Sequence, residues 1–209
     1  MPLYVFAIVD APLEARTILG RKVATLRLVP GIYAVCERRA APPPPSDEEL
    51  RQQHAIVVEL GSEAEAILPA RFGALLSTAD LRAAVRRHEQ DVRGALATVK
   101  GRVQMTVRII GRRRPRVVTP RSGREYLEQR RLAARPPLPR SAVRFADAVR
   151  PFVALERREA GAGRLLATLY HLVERSDITA YMRTAAGLRS TGVLVSGPWP
   201  PFAFAPRLV

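Results

Sequence analysis

The sequence of 209 residues is poor in cysteine and in long apolar runs, and each shortage excludes a class of protein. Its single cysteine, Cys36, excludes an internal disulfide framework and any metal site built from several thiolates. No apolar run approaches the roughly 20 residues that a membrane-spanning helix needs. The apolar start ends at Asp10 and carries no positive charge before it, which is not typical of a signal peptide. We therefore expect a soluble cytoplasmic protein.

Lysine is nearly absent, yet the chain is strongly basic. Lys+Arg number 34 against 19 Asp+Glu, which gives a formal net charge of +15, and only Lys22 and Lys100 are lysines. Residues 1–110 carry 15 basic and 12 acidic groups, whereas residues 111–209 carry 19 and 7. Such an excess suits a polyanion or an acidic protein surface. Near-exclusive use of arginine is also typical of a genomic composition bias, so the charge alone leaves both interpretations open.

The residue types that perform catalysis or bind metals do not occur in functional spacings. His54 and His88 each belong to a half-apolar helical stripe, and none of the three histidines has the HExxH spacing of a zinc helix. The GxG at 161–163 lacks a third glycine and precedes a predicted strand, which is the wrong place for a dinucleotide site. Arginines beside Cys36 favour a lowered thiol pKa, although an inert thiol is the commoner case. We predict no enzymatic activity, no cofactor and no metal.

The periodicity of the first half predicts an α+β fold. Pro30-Gly31 marks the turn of a hairpin, and Ser46 with Glu49 forms a capping box. The predicted elements are a strand at 3–9, a hairpin at 23–37, a helix from Ser46, a strand at 66–72, one helix from Thr78 to Gly101 and a strand at 102–110. Helices that cross between paired strands predict a ferredoxin-like α+β domain over residues 1–111.

The second half begins with a basic segment. Residues 112–122 contain Arg112, Arg113 and Arg114 and are predicted to be a linker between domains. Residues 123–209 then form a smaller α+β domain, with predicted helices at 123–135, from Ser141 to about Glu156 and at 177–188, and strands at 165–173 and 192–195. The arginine cluster is typical of a nucleic-acid patch, although no zinc finger or recognition helix accompanies it. Nucleic-acid binding is the alternative function.

The last segment combines proline with aromatic residues. Trp199, the single tryptophan, is flanked by three prolines and is followed by Phe202 and Phe204. Prolines hold the backbone extended, so the rings are presented at a low entropic cost, and aromatic rings are favoured in binding hot spots. The same rings would also serve as packing anchors for a segment folded over the core. Both interpretations stay open at this point.

Two motifs carry a resemblance to a known family. The segment GPWPPFAF at 197–204 resembles the GPWPPYSF signature of the gas vesicle protein F/L family, and LPARFG at 68–73 resembles its LPxRFG stretch. The opening LYVFAI at 3–8 and the helix around His54 are also similar to their family counterparts. Phe202 and Ala203 replace the usual Tyr and Ser, and Gln104-Met105 replaces an acidic-aromatic pair. The resemblance covers residues 3–205.

The resemblance implies an accessory protein that helps to build gas vesicles, the hollow protein shells that some prokaryotes use for buoyancy. It implies a ferredoxin-like N-terminal domain, an α+β C-terminal domain and no enzymatic activity. The implied partner is the small apolar major shell protein, together with other gas vesicle accessory proteins, and the implied role is minor component, nucleator or assembly chaperone at the vesicle or in the cytoplasm. The candidate partner-binding residues are Trp199, Phe202, Phe204, Arg71, Phe72, Arg112, Arg113 and Arg114.

Overall fold

The computed structural model describes residues 1–111, 122–125, 127, 138–188 and 192–206. Helices and two antiparallel sheets make the fold α+β, as predicted. The chain divides into a first unit, which contains Met1–Val103 and the segment from Trp199, and a second unit, Gln104–Pro198. The predicted division differs in two places. It assigns the segment from Trp199 onward, here called the aromatic tail, to the domain of residues 123–209, and it assigns the whole strand at 102–110 to the domain of residues 1–111. The ferredoxin-like topology stays a prediction.

The sheet of the first unit is built around its first strand. Its strands are β1 (Leu3–Val9), β2 (Arg16–Ile18), β3 (Arg21–Val29), β4 (Ile32–Arg38), β5 (Ile67–Pro69) and β6 (Leu75–Leu76). Their order is β2-β3-β4-β1-β5, and β6 also pairs with β1. Every residue of β1 is buried, because neighbours cover it on both sides: Ala7 lies opposite Val35 of β4 and Pro69 of β5. The predicted first strand and hairpin are therefore confirmed.

The helices of the first unit are α1 (Asp47–Glu63), α2 (Thr78–Arg87) and α3 (Glu89–Val99). Ser46 caps α1 as predicted, since its side chain accepts the N–H of Glu49. The single helix predicted from Thr78 is wrong in two respects. Ser77 is the cap, because its Oγ accepts the N–H of Asp80 at 3.1 Å, and the helix breaks at His88, where φ is −115° and ψ is 27°.

The core of the first unit lies between α1 and the sheet. Ile56, Val57 and Leu60 of α1 are buried against Phe6 and Val9 of β1. Burying a side chain of this size contributes roughly 1.5–3 kcal/mol, so a few such residues fix the helix on the sheet.

Charged side chains join β3, β4 and the start of α1. Arg21 contacts Glu49 at 2.7 Å and Glu37 at 3.4 Å, and Arg39 contacts the same two carboxylates at 3.7 and 3.5 Å. Arginines that lie close together in this part of the unit therefore share acidic partners.

The second unit contains β7 (Arg102–Ile110, which starts in the first unit), α4 (Arg140–Val149), β8 (Val153–Ala160), β9 (Leu165–Glu174), α5 (Ile178–Gly187) and β10 (Val193–Trp199, whose last residue belongs to the first unit). The sheet order is β10-β7-β9-β8. A helix is present where one was predicted from Ser141 to about Glu156, but its bounds differ. The helix begins after its N-cap Pro139 and ends at Val149, so the predicted C-terminal end is wrong. Pro151 lies in the 3-10 turn that follows, where a ring without an N–H cannot continue the helix, and residues 153–160 pair with β9 instead.

Candidate functional site

The aromatic tail belongs to the first unit and turns its two phenylalanines in opposite directions. After Trp199, the buried residues Pro200 and Pro201 lead into a 3-10 turn at Phe202–Phe204. Phe204 is 3% exposed, whereas Phe202 is 36% exposed. The turn is closed by N–H groups of Phe202 and Phe204, which donate to the carbonyls of Pro200 and Pro201 at 2.7 and 3.0 Å. The tail therefore contains both a packing anchor and a presented ring.

His54 on α1 completes a cluster of rings with the tail. Its ring lies 5.2 Å from that of Trp199 at an interplanar angle of 61°, and 5.4 Å from that of Phe202 at 19°. These are the edge and stacked arrangements that aromatic pairs prefer. We call His54, Trp199 and Phe202 the aromatic surface. Phe202 is therefore exposed to solvent on one side and packed against His54 on the other.

The sequence prediction missed His54 as a member of this surface. Helical periodicity assigns it to an apolar stripe, yet its side chain is exposed and the buried side of α1 runs through Gln53, Ile56, Val57 and Leu60. The available signal was the family resemblance of this helix. That resemblance gave no reason to pair the helix with the tail.

Two glycines occupy positions where a side chain would come too close to neighbouring atoms. A Cβ on Gly61 of α1 would lie 3.0 Å from Pro200 Cγ, so the absence of a side chain lets the tail approach the helix. Gly197 has φ of +126°, and a Cβ there would lie 2.8 Å from the carbonyl oxygen of Gln104. Only glycine adopts that conformation without strain.

The LPARFG segment is the end of β5 and the loop that follows it, and β1 and α1 hold this loop. The Tyr4 hydroxyl donates to Gln53 Oε1 and accepts the N–H of Gly73 at 3.2 Å. Gln53 Nε2 donates to the carbonyl of Ala70 at 3.3 Å. Arg71 is exposed and Phe72 half-buried in the turn that follows. Gln53 precedes His54, so α1 contacts the loop through one residue and the aromatic tail through the next.

The remaining predicted site residues are three arginines of the basic segment. Arg112, Arg113 and Arg114 lie outside the described residues. Among the residues that are described, no group of three His, Cys, Asp or Glu side chains is arranged to hold a metal ion. In the same ranges, no helix has the length and apolar content to cross a membrane.

The Cys36 thiol is buried in β4. Burial raises its pKa to about 11, and the opposing effect of the Arg38 charge is smaller. Arg38 thus lowers the thiol pKa as expected, but burial outweighs it, and the inert thiol is the interpretation that the structure supports. A thiol of this kind is largely protonated and inaccessible near neutral pH, and it has neither property of a nucleophile.

His171 of β9 is enclosed in the second unit by two polar partners. Its Nδ1 lies 2.8 Å from the Tyr181 hydroxyl, and its Nε2 lies 3.2 Å from Glu156 Oε2. Burial lowers the pKa of His171, and Glu156 opposes that shift. The ring is 1% exposed, so a substrate does not reach it, and its role is structural.

This lowered pKa predicts that acid destabilises the second unit. The unfolded chain binds a proton at His171 near pH 6.5, whereas the folded chain resists it until lower pH. The stability contributed by the neutral His171 ring is therefore fully present above about pH 6.5. It is lost as the pH falls from that value towards the lower pKa of the folded state. We expect the urea midpoint of wild type to fall between pH 7 and pH 5, and His171→Gln to flatten that fall. His88→Gln is the control, and equal falls in both variants would contradict the assignment.

Two crystal structures share this fold over the whole chain. The gas vesicle protein GvpF from Anabaena sp. PCC7120 matches with a TM-score of 0.73 and 11% identity, over 99% of this chain and 96% of that one. The gas vesicle protein GvpF from Microcystis aeruginosa matches with a TM-score of 0.74 and 11% identity, over 99% of both chains. At this identity the likeness establishes the fold alone. Comparison with curated protein sequences gives no significant match.

Family membership follows from the sequence itself and does not depend on the likeness of the fold. The family model described as gas vesicle synthesis protein GvpL/GvpF matches residues 2–206. The chain belongs to the GvpL/GvpF family and has a role in gas vesicle formation. The resemblance recognised in GPWPPFAF and LPARFG is confirmed.

Proposed function

We propose that this protein binds the small, apolar major shell protein during gas vesicle formation and acts as a non-enzymatic assembly chaperone. The observation that carries the proposal is the aromatic surface, in which Phe202 is exposed while its ring stacks on His54. An exposed aromatic ring that is already ordered loses little conformational freedom when a partner covers it. Such rings are frequent hot spots of protein interfaces.

The physical need for such a surface follows from the proposed partner. A small apolar shell subunit aggregates unless its apolar surface is covered before it joins the shell. A few aromatic rings bury enough surface for a reversible contact but too little for a permanent one. Arg71 and Phe72 follow Ala70, whose carbonyl accepts a hydrogen bond from Gln53 of α1, and they extend the candidate surface in this proposal.

The proposed absence of catalysis is supported by the surroundings of the single cysteine and of one buried histidine. The thiol of Cys36 is buried and protonated, and the ring of His171 is enclosed by Tyr181 and Glu156. Neither group faces a substrate.

The test is co-purification of the full chain with a coexpressed major shell protein, followed by a wash at high salt. We expect wild type to retain the shell protein, because apolar contacts survive salt that screens charges. Phe202→Ala and the double variant W199A/F202A are expected to lower the retained amount at least about tenfold, since hot-spot rings contribute about 2 kcal/mol or more. Leu155→Ala is the control, because Leu155 of β8 is 40% exposed, close to the value for Phe202.

The outcomes separate the proposal from its alternatives. Loss of the shell protein from wild type at high salt, with nucleic acid in the low-salt eluate, would replace the proposal by nucleic-acid binding. Retention of the protein in washed mature vesicles would make it a minor component. An equal loss for Leu155→Ala and Phe202→Ala would remove the aromatic surface from the interface.

A further inference from the structure

A groove in the first unit gathers arginine side chains without acidic partners. It has a volume of about 550 Å³ and lies between the end of β3 and helix α2. Arg27 contributes from β3, and Arg82 and Arg86 contribute from α2. Among the described residues, no carboxylate forms an ion pair with any of these three arginines.

The three cations are held close to one another by the fold. Arg82 and Arg86 are four residues apart on α2 and therefore lie on the same side of the helix, where like charges repel. The Arg82 guanidinium donates to the carbonyl of Arg27 at 3.4 Å, which ties the helix to the end of β3. This arrangement concentrates positive charge that a bound anion would compensate.

The acidic residue at the groove does not neutralise it. Glu89 accepts two hydrogen bonds from Arg93, at 2.7 and 3.0 Å, and Arg93 also donates to the carbonyl of Pro30 at 2.7 Å. The charge of Glu89 is thus already compensated. By contrast, Arg21 and Arg39 in the same unit share Glu37 and Glu49. The groove arginines are therefore available to an external partner.

We infer that this groove binds a short acidic peptide segment of a protein partner. Guanidinium groups form paired hydrogen bonds with carboxylates. The apolar residues Leu28, Val29 and Pro30 also line the groove, where the aliphatic part of a glutamate can pack. The site lies outside the aromatic surface, so this inference does not depend on the proposed function.

A nucleic acid fits the same groove less well. Strands of nucleic acid bind to extended tracks of cations with aromatic rings for base stacking, whereas the groove lining contains no aromatic side chain among the described residues. Residues 1–110 are also nearly balanced, with 15 basic and 12 acidic groups. Local positive charge on a nearly neutral unit suits a compact anionic segment.

The test measures binding of a fluorescein-labelled hexaglutamate peptide to the full chain by anisotropy at about 150 mM salt. The double variant R82Q/R86Q is expected to raise the dissociation constant at least about fivefold, because two charge-assisted contacts are lost. The matched control R51Q/R87Q removes the same charge from exposed positions of α1 and α2 outside the groove, and we expect less than a twofold change.

Three outcomes would overturn the inference. Equal dissociation constants for the two double variants would show that the peptide responds only to overall charge, and no saturable binding by wild type would show that the groove does not bind an acidic peptide. A single-stranded oligothymidylate of 12 nucleotides is the second probe, and its affinity should be the same for both variants. A selective loss of oligothymidylate binding in R82Q/R86Q would assign the groove to nucleic acid.

Discussion

Replacing Phe204 with alanine is expected to lower the free energy of unfolding by about 3–5 kcal/mol, the range for removing a buried phenylalanine. Phe204 is 3% exposed, and its 3-10 turn packs against β5 in the core of the first unit. The same substitution at Phe202, which is 36% exposed, is expected to change stability by less than about 1 kcal/mol. The two residues are two positions apart and identical in chemistry, so the difference between the two variants mainly reports their difference in burial.

Trp199 provides the readout for this pair of variants. It is the single tryptophan and it contacts His54 within the first unit, so its fluorescence reports unfolding of that unit in urea. We expect a large decrease in the urea midpoint for Phe204→Ala and a small one for Phe202→Ala. Similar decreases in both variants would show that the tail is held as a whole and that Phe202 is also a packing anchor.

Replacing Gly61 with leucine is expected to displace the aromatic tail from α1. A Cβ alone would already lie 3.0 Å from Pro200 Cγ, and the longer side chain requires the proline to move. Overpacking of this kind costs about 1–3 kcal/mol, which exceeds the gain of about 1 kcal/mol from replacing glycine in a helix. We expect a red shift of Trp199 emission, stronger quenching by acrylamide and reduced capture of the shell protein.

Gly94→Leu is the matched control for this substitution. Gly94 lies in α3, and a Cβ there would meet nothing within 4 Å. The control therefore gains helix propensity without a clash, and we expect unchanged or higher stability and unchanged tryptophan emission. Emission of Gly61→Leu that matches wild type would show that the tail does not depend on the close approach of Pro200 to α1.

The sequence by itself determined the elements whose signals are local. The uninterrupted apolar run at 3–9 predicts β1, the Pro30-Gly31 turn predicts the hairpin, and Ser46 with Glu49 predicts the start of α1. Each of these signals involves neighbours within a few residues, and the tertiary structure agrees with the local preference. The two family motifs were equally visible, because a resemblance depends on residue order and not on packing.

Local signals failed where a distant contact or a single backbone group decides the outcome. The helix predicted from Thr78 breaks at His88 although the apolar periodicity continues through it. Residues 153–160 have the charged composition of an exposed helix, but pairing with β9 supplies hydrogen bonds for their backbone. Periodicity describes the face that a segment would bury and does not reveal the partner that buries it.

Only the tertiary structure decided which tail ring is inside, and the reason is physical. A segment of prolines and aromatics has no helical or strand period, so nothing in its own sequence distinguishes Phe202 from Phe204. The distinction depends on α1, more than 130 positions earlier in the chain, where Gly61 admits Pro200 and His54 stacks on Phe202. Burial is a property of a residue and its distant neighbours together, and the chain specifies it only after folding has brought them into contact.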